Sequence, residues 1–233
     1  MATQLRQGTE TRTPLSRERV LRAAIKLADE GGVASVTMRR LAEVVGAEAM
    51  SLYYHVSKKD DVLDGMIDLI AQEINETVAK IDASGDWKGA ARRRILAARE
   101  VLLRHRWAPA LLATRTTVSP AILGYHDNLV GLMHEGGLSY DLIHHGLHAL
   151  GSRALGFAQE LFDPGSGPVS DDVLEAMAGP LPNLAGMLKE VAHDDPDSTL
   201  GWCDDQTEFE FGLDLILDGL ERRRGLAPSE GAL

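Results

Sequence analysis

The chain has 233 residues, of which 44% are hydrophobic and 5% aromatic, and its formal net charge is −11 at pH 7. This length suits one or two globular domains, and no apolar run approaches the roughly 20 residues of a membrane-spanning helix. The polar first residues lack the apolar core of a signal peptide, and the single Cys203 allows neither an intrachain disulfide nor a cysteine metal cage. These features exclude membrane-spanning and disulfide-stabilised classes and predict a cytoplasmic protein.

Charge is distributed unevenly along the chain. Residues 1–60 hold ten Lys and Arg against seven Asp and Glu, a balance of +3, whereas residues 61–233 hold 14 against 28, a balance of −14. A small basic module on an acidic body can meet nucleic-acid phosphates with its basic end. We expect the acidic remainder to disfavour unspecific contact with DNA.

The N-terminal residues 1–15 show no periodicity and are predicted to be a disordered arm. A first helix is predicted from about Ser16, its cap, to Glu30, because apolar residues recur there at helical spacing and two glycines follow. We expect this helix to pack on the two short helices that come next.

Residues 35–59 predict a helix-turn-helix. The first helix would run from Met38 to Val45 with Thr37 as its cap, and the second from about Ala49 to His55. Gly46 stands where the chain must leave the first helix with positive φ, and the apolar Leu52 would point back into the crossing. Such a unit places its second helix in the DNA major groove.

The rest of the chain is also predicted to be helical, because no stretch has convincing period-two alternation. The predicted helices are Ser57 to about Ile81 with a Ser57–Asp60 capping box, Trp87–Arg104 capped by Asp86, about Pro109–Thr114, Pro120–Glu135, Tyr140–Phe162 capped by Ser139, Asp171–Ala178, Leu184–Val191 and Asp204–Gly225. We therefore predict an all-α chain. Its parts would be the disordered arm, a helix-turn-helix domain over 16–65, a helical-bundle domain over 66–225 entered by the linking helix, and a tail over 226–233.

Two parts of the sequence resemble a known family of regulators. Residues 52–63, LYYHVSKKDDVL, are similar to the Leu-Tyr-x-His-Val/Phe-x-x-Lys-x-x-Leu-Leu signature of the tetracycline-repressor (TetR) family, and residues 37–42 to its lead-in. Residues 209–221 resemble the C-terminal dimerisation helix of the tetracycline-repressor subgroup, and residues 155–160 its other dimer helix. The resemblance implies a homodimeric repressor that leaves a palindromic operator in double-stranded DNA when a small molecule binds its body. We expect the ligand to tilt the linking helix and change the separation of the two reading heads.

The predicted DNA contacts lie on the two short helices and the turn after them. Arg39 suits a guanine edge or a phosphate, and the apolar tip of the second helix favours contacts with thymine methyl groups. Tyr54 is predicted either to contact a phosphate or to lie in the core. The full set is Thr37, Arg39, Arg40, Ala49, Met50, Ser51, Tyr53, Tyr54, His55, Lys58 and Lys59.

The resemblance also implies a ligand pocket in the body. The residues that match the tetracycline repressor's ligand contacts by position are Asn75, Arg94, Ala98, Leu112, Leu129, Leu147 and Gly151. Asn75, Ala98 and Leu112 replace that repressor's metal-binding and drug-binding side chains, which disfavours magnesium–tetracycline as the ligand. We expect a largely apolar effector with one polar or anionic group held by Arg94. Further candidates for the lining, each with a core role as the alternative, are His105, Trp107, His126 and Met133.

Interior glycines in the helices over 139–162 and 204–225 predict a homodimer. Each such glycine costs about 1 kcal/mol relative to alanine, and close approach of helix backbones would offset that cost. The last helix is apolar on more than one side and therefore needs partners on two sides. The alternative is that both helices are central in a monomeric bundle. The predicted interface is Gly151, Gly156, Glu160, Phe209, Gly212, Leu213, Ile216, Gly219 and Leu220.

No catalytic residue, cofactor or metal site is predicted. His144 and His148 have a zinc-ligand spacing, but no third ligand follows at a recognisable distance. A triad of Asp141, His148 and Ser152 lacks the strand–turn–helix elbow that would support it. Two alternatives remain open. One is a DNA-binding regulator without an effector, whose body serves dimerisation or a protein partner; the other is a ligand-binding or catalytic helical protein that merely carries the reading module.

Overall fold

The computed structural model describes residues 14–82, 84–116, 119–156, 171–191 and 205–225. Within them the chain forms eleven α-helices and no strand, which confirms the all-α prediction. The helices are α1 Arg17–Gly31, α2 Met38–Val45, α3 Ala49–Leu52, α4 Lys59–Val78, α5 Trp87–Arg104, α6 Ala108–Ala113, α7 Pro120–Glu135, α8 Tyr140–Gly156, α9 Asp171–Ala178, α10 Pro182–Val191 and α11 Asp205–Arg223. None of these helices has both the length and the apolar character needed to cross a membrane.

Several helix ends form where the sequence predicts them, because each has a local hydrogen-bond partner. The Thr37 hydroxyl accepts the Arg40 backbone N–H at 3.2 Å, and Ser16 caps α1 in the same way through Arg19. Gly46 ends α2 with φ 66°, a left-handed conformation that glycine adopts without strain. The bounds predicted for α2, α5, α7 and α9 are confirmed.

The second predicted helix is shorter than expected. α3 ends at Leu52 instead of His55, because the next backbone N–H groups bond three residues back: Tyr54 to Ser51 at 3.4 Å and His55 to Leu52 at 2.8 Å. Such bonds form a tighter turn than the α-helix. Tyr53 and Tyr54 therefore lie in a turn and not on a continuing helix.

The predicted capping box at the start of α4 is wrong in one residue. The helix begins at Lys59, and the carboxylate that accepts the Ser57 backbone N–H is that of Asp61, at 2.9 Å, and not that of Asp60. Arg17 of α1 lies 3.1 Å from the same carboxylate, which favours Asp61 as the partner. At its other end α4 stops at Val78, short of the predicted Ile81.

The remaining differences are small shifts of helix ends. α6 and α10 begin at Ala108 and Pro182, one and two residues before the predicted starts, and α11 ends at Arg223 instead of Gly225. A proline fits the first turn of a helix because its missing N–H has no intrahelical partner there. The predicted continuation of α8 to Phe162, most of the N-terminal arm and the tail lie outside the described residues.

The chain divides into two compact units. The first comprises Met1–Lys80 and Ala97–Tyr125, and the second Ile81–Leu96 and His126–Leu233. The core of the first unit joins α1 to the helix-turn-helix and α4, and it includes the fully buried Leu21, Leu41, Leu52 and Met66. Because Leu41 and Leu52 lie in this core, α2 and α3 are held against α1. The domain bounds at 16–65 and 66–225 stay a prediction.

In the second unit α11 packs against α5 and α8. Its buried side chains Phe209, Leu213, Leu217 and Leu220 join Trp87, Met133 and Ile143 in one core. A row of charged contacts runs beside that core. Arg92 bonds Asp214 at 2.7 Å and Glu210 at 2.6 Å, Lys88 pairs with Asp218, and the Trp87 ring N–H donates to Glu221 at 2.6 Å.

One interior glycine of α8 is explained by packing within the chain. A Cβ on Gly146 would lie 2.9 Å from the Leu220 Cδ1 atom, closer than real contacts allow. A Cβ on Gly151 of the same helix, or on Gly219 of α11, would meet no described atom within 4 Å. The missing side chain at Gly146 therefore makes room for the Leu220 side chain within one chain, whereas a Cβ on either of the other two glycines would meet no described atom.

Candidate nucleic-acid interface

The helix-turn-helix presents its second helix to solvent on one side only. Leu52 is buried in the core of the first unit, whereas Met50 is 73% exposed and Tyr54 89% exposed. Burial of Leu52 fixes the rotation of α3, so the flanking residues point outward. The exposure of Tyr54 excludes the core role that the sequence left open.

The predicted DNA-contact residues share a solvent-facing position. Of the eleven, Ser51 and His55 are half-buried and the other nine are exposed. The Ser51 hydroxyl is directed to its own helix, where it donates to the Glu48 backbone oxygen at 2.6 Å. The surface that can reach a groove is therefore made chiefly by Ala49, Met50 and the two tyrosines.

The basic side chains of this surface are held loosely. The Arg39 Nε atom lies 3.1 Å from the Glu43 carboxylate in an exposed pair four residues apart on α2, and Arg40 donates to the Ser35 backbone oxygen at 3.4 Å. Exposed pairs of this kind contribute about 0.3–0.5 kcal/mol, so phosphate or guanine could displace them at little cost. Lys58 and Lys59 stand at the exposed start of α4.

Two arginines of α1 support the module, although no sequence pattern predicts this role for them. Arg19 donates from Nη2 to the Val45 backbone oxygen at 2.9 Å and so satisfies a carbonyl at the end of α2. Arg17 reaches Asp61 at 3.1 Å. The pKa of Asp61 is lowered, first by the Ser57 N–H bond and then by Arg17. No sequence signal was available for either contact, since they join residues 26 and 44 positions apart.

Five of the predicted ligand residues lie in the first unit. Asn75 donates from Nδ2 to the Ala121 backbone oxygen at 2.8 Å, Leu112 packs on the core, and Ala98 is buried. His105 and Trp107 are both bound to Asp29, at 2.8 Å from Nδ1 and 2.6 Å from Nε1. His105 also lines a cleft of ≈ 480 Å³ with side chains of α1 and α4.

The other six predicted ligand residues lie in the second unit. Leu129 and Met133 are buried in its core, Leu147 packs against that core, and His126 is exposed. Arg94 donates to the Asn128 backbone oxygen at 3.4 Å, and its buried Nε atom has no partner in the described chain. Gly151 has open space beside it. Arg94 thus has a buried hydrogen-bond donor that the described chain leaves without a partner.

The predicted interface residues of α11 fall into two groups. Phe209, Leu213 and Leu220 are buried within their own unit, which leaves them little surface for a second subunit. Gly212, Ile216 and Gly219 are half-buried. The outward apolar side chains are instead Phe211, 62% exposed, and Leu215, 55% exposed. Gly156 lies at the end of α8, and Glu160 lies outside the described residues.

The histidines of α8 do not form a metal-binding group in the described part of the chain. The rings of His144 and His148 are 4.5 Å apart between centroids, and His145 lies 3.8 Å from Asp141. No set of three or more His, Cys, Asp or Glu side chains comes together among the described residues.

Comparison with known families identifies the two parts of the chain. Residues 20–66 match the family of bacterial regulatory proteins named tetR, and residues 82–224 match the tetracyclin repressor-like C-terminal domain. The chain belongs to the TetR family. The predicted resemblance is thereby confirmed, and the helix-turn-helix of α2 and α3 is that of a DNA-binding transcriptional regulator.

Three relatives show how far the TetR likeness extends. An HTH-type transcriptional regulator of Saccharopolyspora erythraea is 36% identical over 115 residues, 49% of this chain and 48% of that protein. The chain thus spans about half the length of that relative. The tetracycline repressor protein class C of Escherichia coli is 27% identical over 90% of this chain and 92% of its own length. A crystal structure described as a possible TetR family regulator from Streptomyces coelicolor has a TM-score of 0.69 and 30% identity, covering 90% of this chain and all of that one.

Proposed function

We propose that this regulator is a homodimeric repressor that leaves its palindromic operator when a largely apolar small molecule binds its C-terminal domain. The DNA-binding part of this proposal rests on the exposed surface of α3 and the turn after it, which the burial of Leu52 holds in place. Full-length similarity to a tetracycline repressor supports the ligand-responsive half. A repressor of this kind would act in the cytoplasm, where its operator is.

We propose that some residues of this surface contact bases and others contact phosphates. Ala49 and Met50 would contact thymine methyl groups, and Arg39 would bind a guanine edge. Phosphates would be bound by the residues that follow, and these contacts would fix the orientation of the module: Tyr53, Tyr54, His55, Lys58 and Lys59.

Dimer formation is supported by the outward face of α11. Phe211 and Leu215 are large apolar side chains that the described part of their own chain leaves exposed, and Gly219 has open space beside it. A second copy placed there by a two-fold axis would cover these side chains. The two reading heads would then meet major grooves about 34–36 Å apart, or at an equivalent spacing.

The effector is proposed to carry a polar or anionic group bound by Arg94. The buried Nε of that side chain lacks a partner, and an anion that accepts from it would satisfy the donor. The apolar Leu129 and Leu147 belong to the same unit. Magnesium–tetracycline is not proposed, because Asn75, Ala98 and Leu112 offer no match to the metal-binding and drug-binding side chains of the tetracycline repressor.

The first experiment measures DNA binding as a function of salt. Duplexes selected by the protein from a random-sequence pool should bind selectively, with log Kd rising linearly with log salt. Lys59→Gln should lower that slope by about 1, as expected when one phosphate contact is lost. The matched control Lys26→Gln removes another exposed lysine charge, from α1, and should leave the slope unchanged. Absence of sequence-selective binding by the wild-type protein would refute the proposal.

The second experiment separates the ligand-responsive repressor from a regulator without an effector. A panel of small molecules is screened for release of the protein from DNA upstream of its own gene, and spin labels on α3 report the distance between heads. A releasing compound should lose its effect in Arg94→Gln and should change the head separation relative to the DNA-bound form. Release without any change in separation would refute the tilting of α4 as the mechanism.

A further inference from the structure

One turn of α8 carries two histidines that can share an ion. His144 and His148 are four residues apart, which makes them neighbours on one face of the helix. Their ring centroids lie 4.5 Å apart and the ring planes are inclined by 81°. Two imidazoles that each bind one metal ion at about 2.0–2.1 Å have centroids about 4.5–5 Å apart. The two rings are therefore already near the separation that a shared ion requires.

This histidine pair faces away from the core of its own unit. On the other side of α8, Ile143 is buried and Gly146 leaves room for the Leu220 side chain of α11. Both histidines are exposed in the single chain. Because the core holds the backbone of this turn while the two rings lie in solvent, an ion can reach both rings without any opening of the fold.

The chemistry of the pair selects the class of ion but leaves its coordination incomplete. Imidazole nitrogens suit Zn²⁺, Ni²⁺ and Cu²⁺, whereas Mg²⁺ and Ca²⁺ prefer oxygen ligands. A structural zinc site has four protein ligands, yet no set of three or more His, Cys, Asp or Glu side chains comes together among the described residues. The adjacent His145 points about 100° away around the helix and lies 3.8 Å from Asp141. The described part of one chain thus supplies two of the four ligands.

Gly151 indicates that a second copy covers the same face of α8. It comes seven residues after His144 and three after His148, which places all three on one side of the helix. A Cβ on Gly151 would meet no described atom within 4 Å, so packing within the described chain does not explain this glycine. An interior glycine weakens a helix, and close approach of a second backbone would offset that cost. In a two-fold interface the same patch of both copies meets, so an axis beside this turn would bring two histidine pairs together.

We propose that His144 and His148 of two copies hold one divalent transition-metal ion, of the Zn²⁺ class, on the two-fold axis of the homodimer. Four neutral imidazoles match the tetrahedral coordination of a closed zinc site. The ion would join α8 of one copy to α8 of the other and so stabilise the dimer, because it binds the dimer better than the single chain. The inference rests on the homodimer of the proposed function and adds a metal site to it.

The first test is calorimetric titration of the untagged full chain with zinc chloride. Excess Mg²⁺ is present to occupy unspecific carboxylate sites, since the chain has a net charge of −11. About one Zn²⁺ should bind per two chains. His144→Ala and His148→Ala should each weaken binding by about 100-fold or more, because linked ligands bind through a high effective concentration.

Two matched controls separate this site from other zinc ligands of the chain. His145→Ala removes the adjacent exposed histidine, and Cys203→Ser removes the single thiol of the sequence. Both variants should bind Zn²⁺ as the wild type does. Zinc binding that survives in His144→Ala and His148→Ala, or that is absent from the wild type, would overturn the proposal.

The second test measures the dimer Kd by sedimentation equilibrium with and without Zn²⁺. At a free Zn²⁺ concentration ten times its own Kd, the dimer Kd of the wild type and of His145→Ala should fall about tenfold. In His144→Ala and His148→Ala it should not respond to Zn²⁺. One Zn²⁺ per chain with an unchanged dimer Kd would show chelation within a single chain and contradict the shared site. A wild type that stays monomeric in both conditions would refute the homodimer of the proposed function, whereas a dimer that ignores Zn²⁺ would refute the metal site alone.

Discussion

Gly219 of α11 gives the sharpest test of the dimer, because the single chain and the dimer predict opposite effects of one methyl group. Within the described chain a Cβ at Gly219 would have no neighbour within 4 Å, and the same holds for Gly131 of α7, outside the predicted interface. Alanine at an unobstructed interior helix position gains about 1 kcal/mol over glycine. For Gly131→Ala we therefore expect a rise in Tm of roughly 2–4 °C and no change in association.

Gly219→Ala should behave differently if a second copy approaches that position closely. The helix-propensity gain is the same in monomer and dimer and cancels from the dissociation equilibrium. The added methyl group would overpack the interface by about 1–3 kcal/mol at each of two symmetry-related sites, or roughly 2–6 kcal/mol per dimer. Since each 1.4 kcal/mol is a factor of ten, the dimer Kd should rise about thirtyfold or more.

Sedimentation equilibrium over a dilution series measures the Kd of the wild type and both variants, and thermal unfolding at two concentrations gives Tm. The expected pattern is weaker association for Gly219→Ala alone. If its Kd equals the wild-type value while its Tm rises as in Gly131→Ala, then Gly219 faces solvent and the assignment of this face to the dimer is wrong.

Three further predictions concern the reading module and the second unit. Arg39→Ala should cost about 1–3 kcal/mol in binding to selected DNA and relax base preference at one position per half-site; an equal loss on all sequences would show a phosphate contact instead. Leu52→Ala should lower the free energy of unfolding by about 2–5 kcal/mol in chemical denaturation, because its side chain is fully buried, whereas the exposed Met50→Ala should stay within about 0.5 kcal/mol. The pKa of Glu210 is held below its ordinary 4.5 by the Gln206 hydrogen bond and by Arg92, and that of Asp218 below 3.8 by Lys88. The stabilisation by these two carboxylates is therefore present above their ordinary pKa values and is lost as pH falls through their lower folded-state pKa values. The free energy of unfolding, measured against pH, should fall less steeply in the double variant Glu210→Gln, Asp218→Asn than in the wild type.

The sequence alone placed most helices to within a few residues and gave both ends of α2, α5, α7 and α9. Thr37 and Gly46 bound α2 as predicted, because a cap hydroxyl and a left-handed glycine act on backbone groups within four residues along the chain. The signature over residues 52–63 was enough to identify the family, which the matched regions then confirmed. Even the local prediction was wrong where a distant residue takes part: Asp61, aided by Arg17 of α1, replaces Asp60 as the partner of Ser57.

Only the tertiary structure decided which side chains meet and which face of a helix is covered. α11 is apolar on two sides, so its periodicity could not show that Phe209 and Leu213 are buried while Phe211 and Leu215 are exposed. Likewise, nothing near Arg115 in the sequence indicates its hydrogen-bond partners Asp60 and Asp64, 55 and 51 residues away. The physical reason is the range of the forces involved. Caps and turns are set by neighbours along the chain, whereas burial and ion pairing depend on surfaces that exist only after the helices have packed.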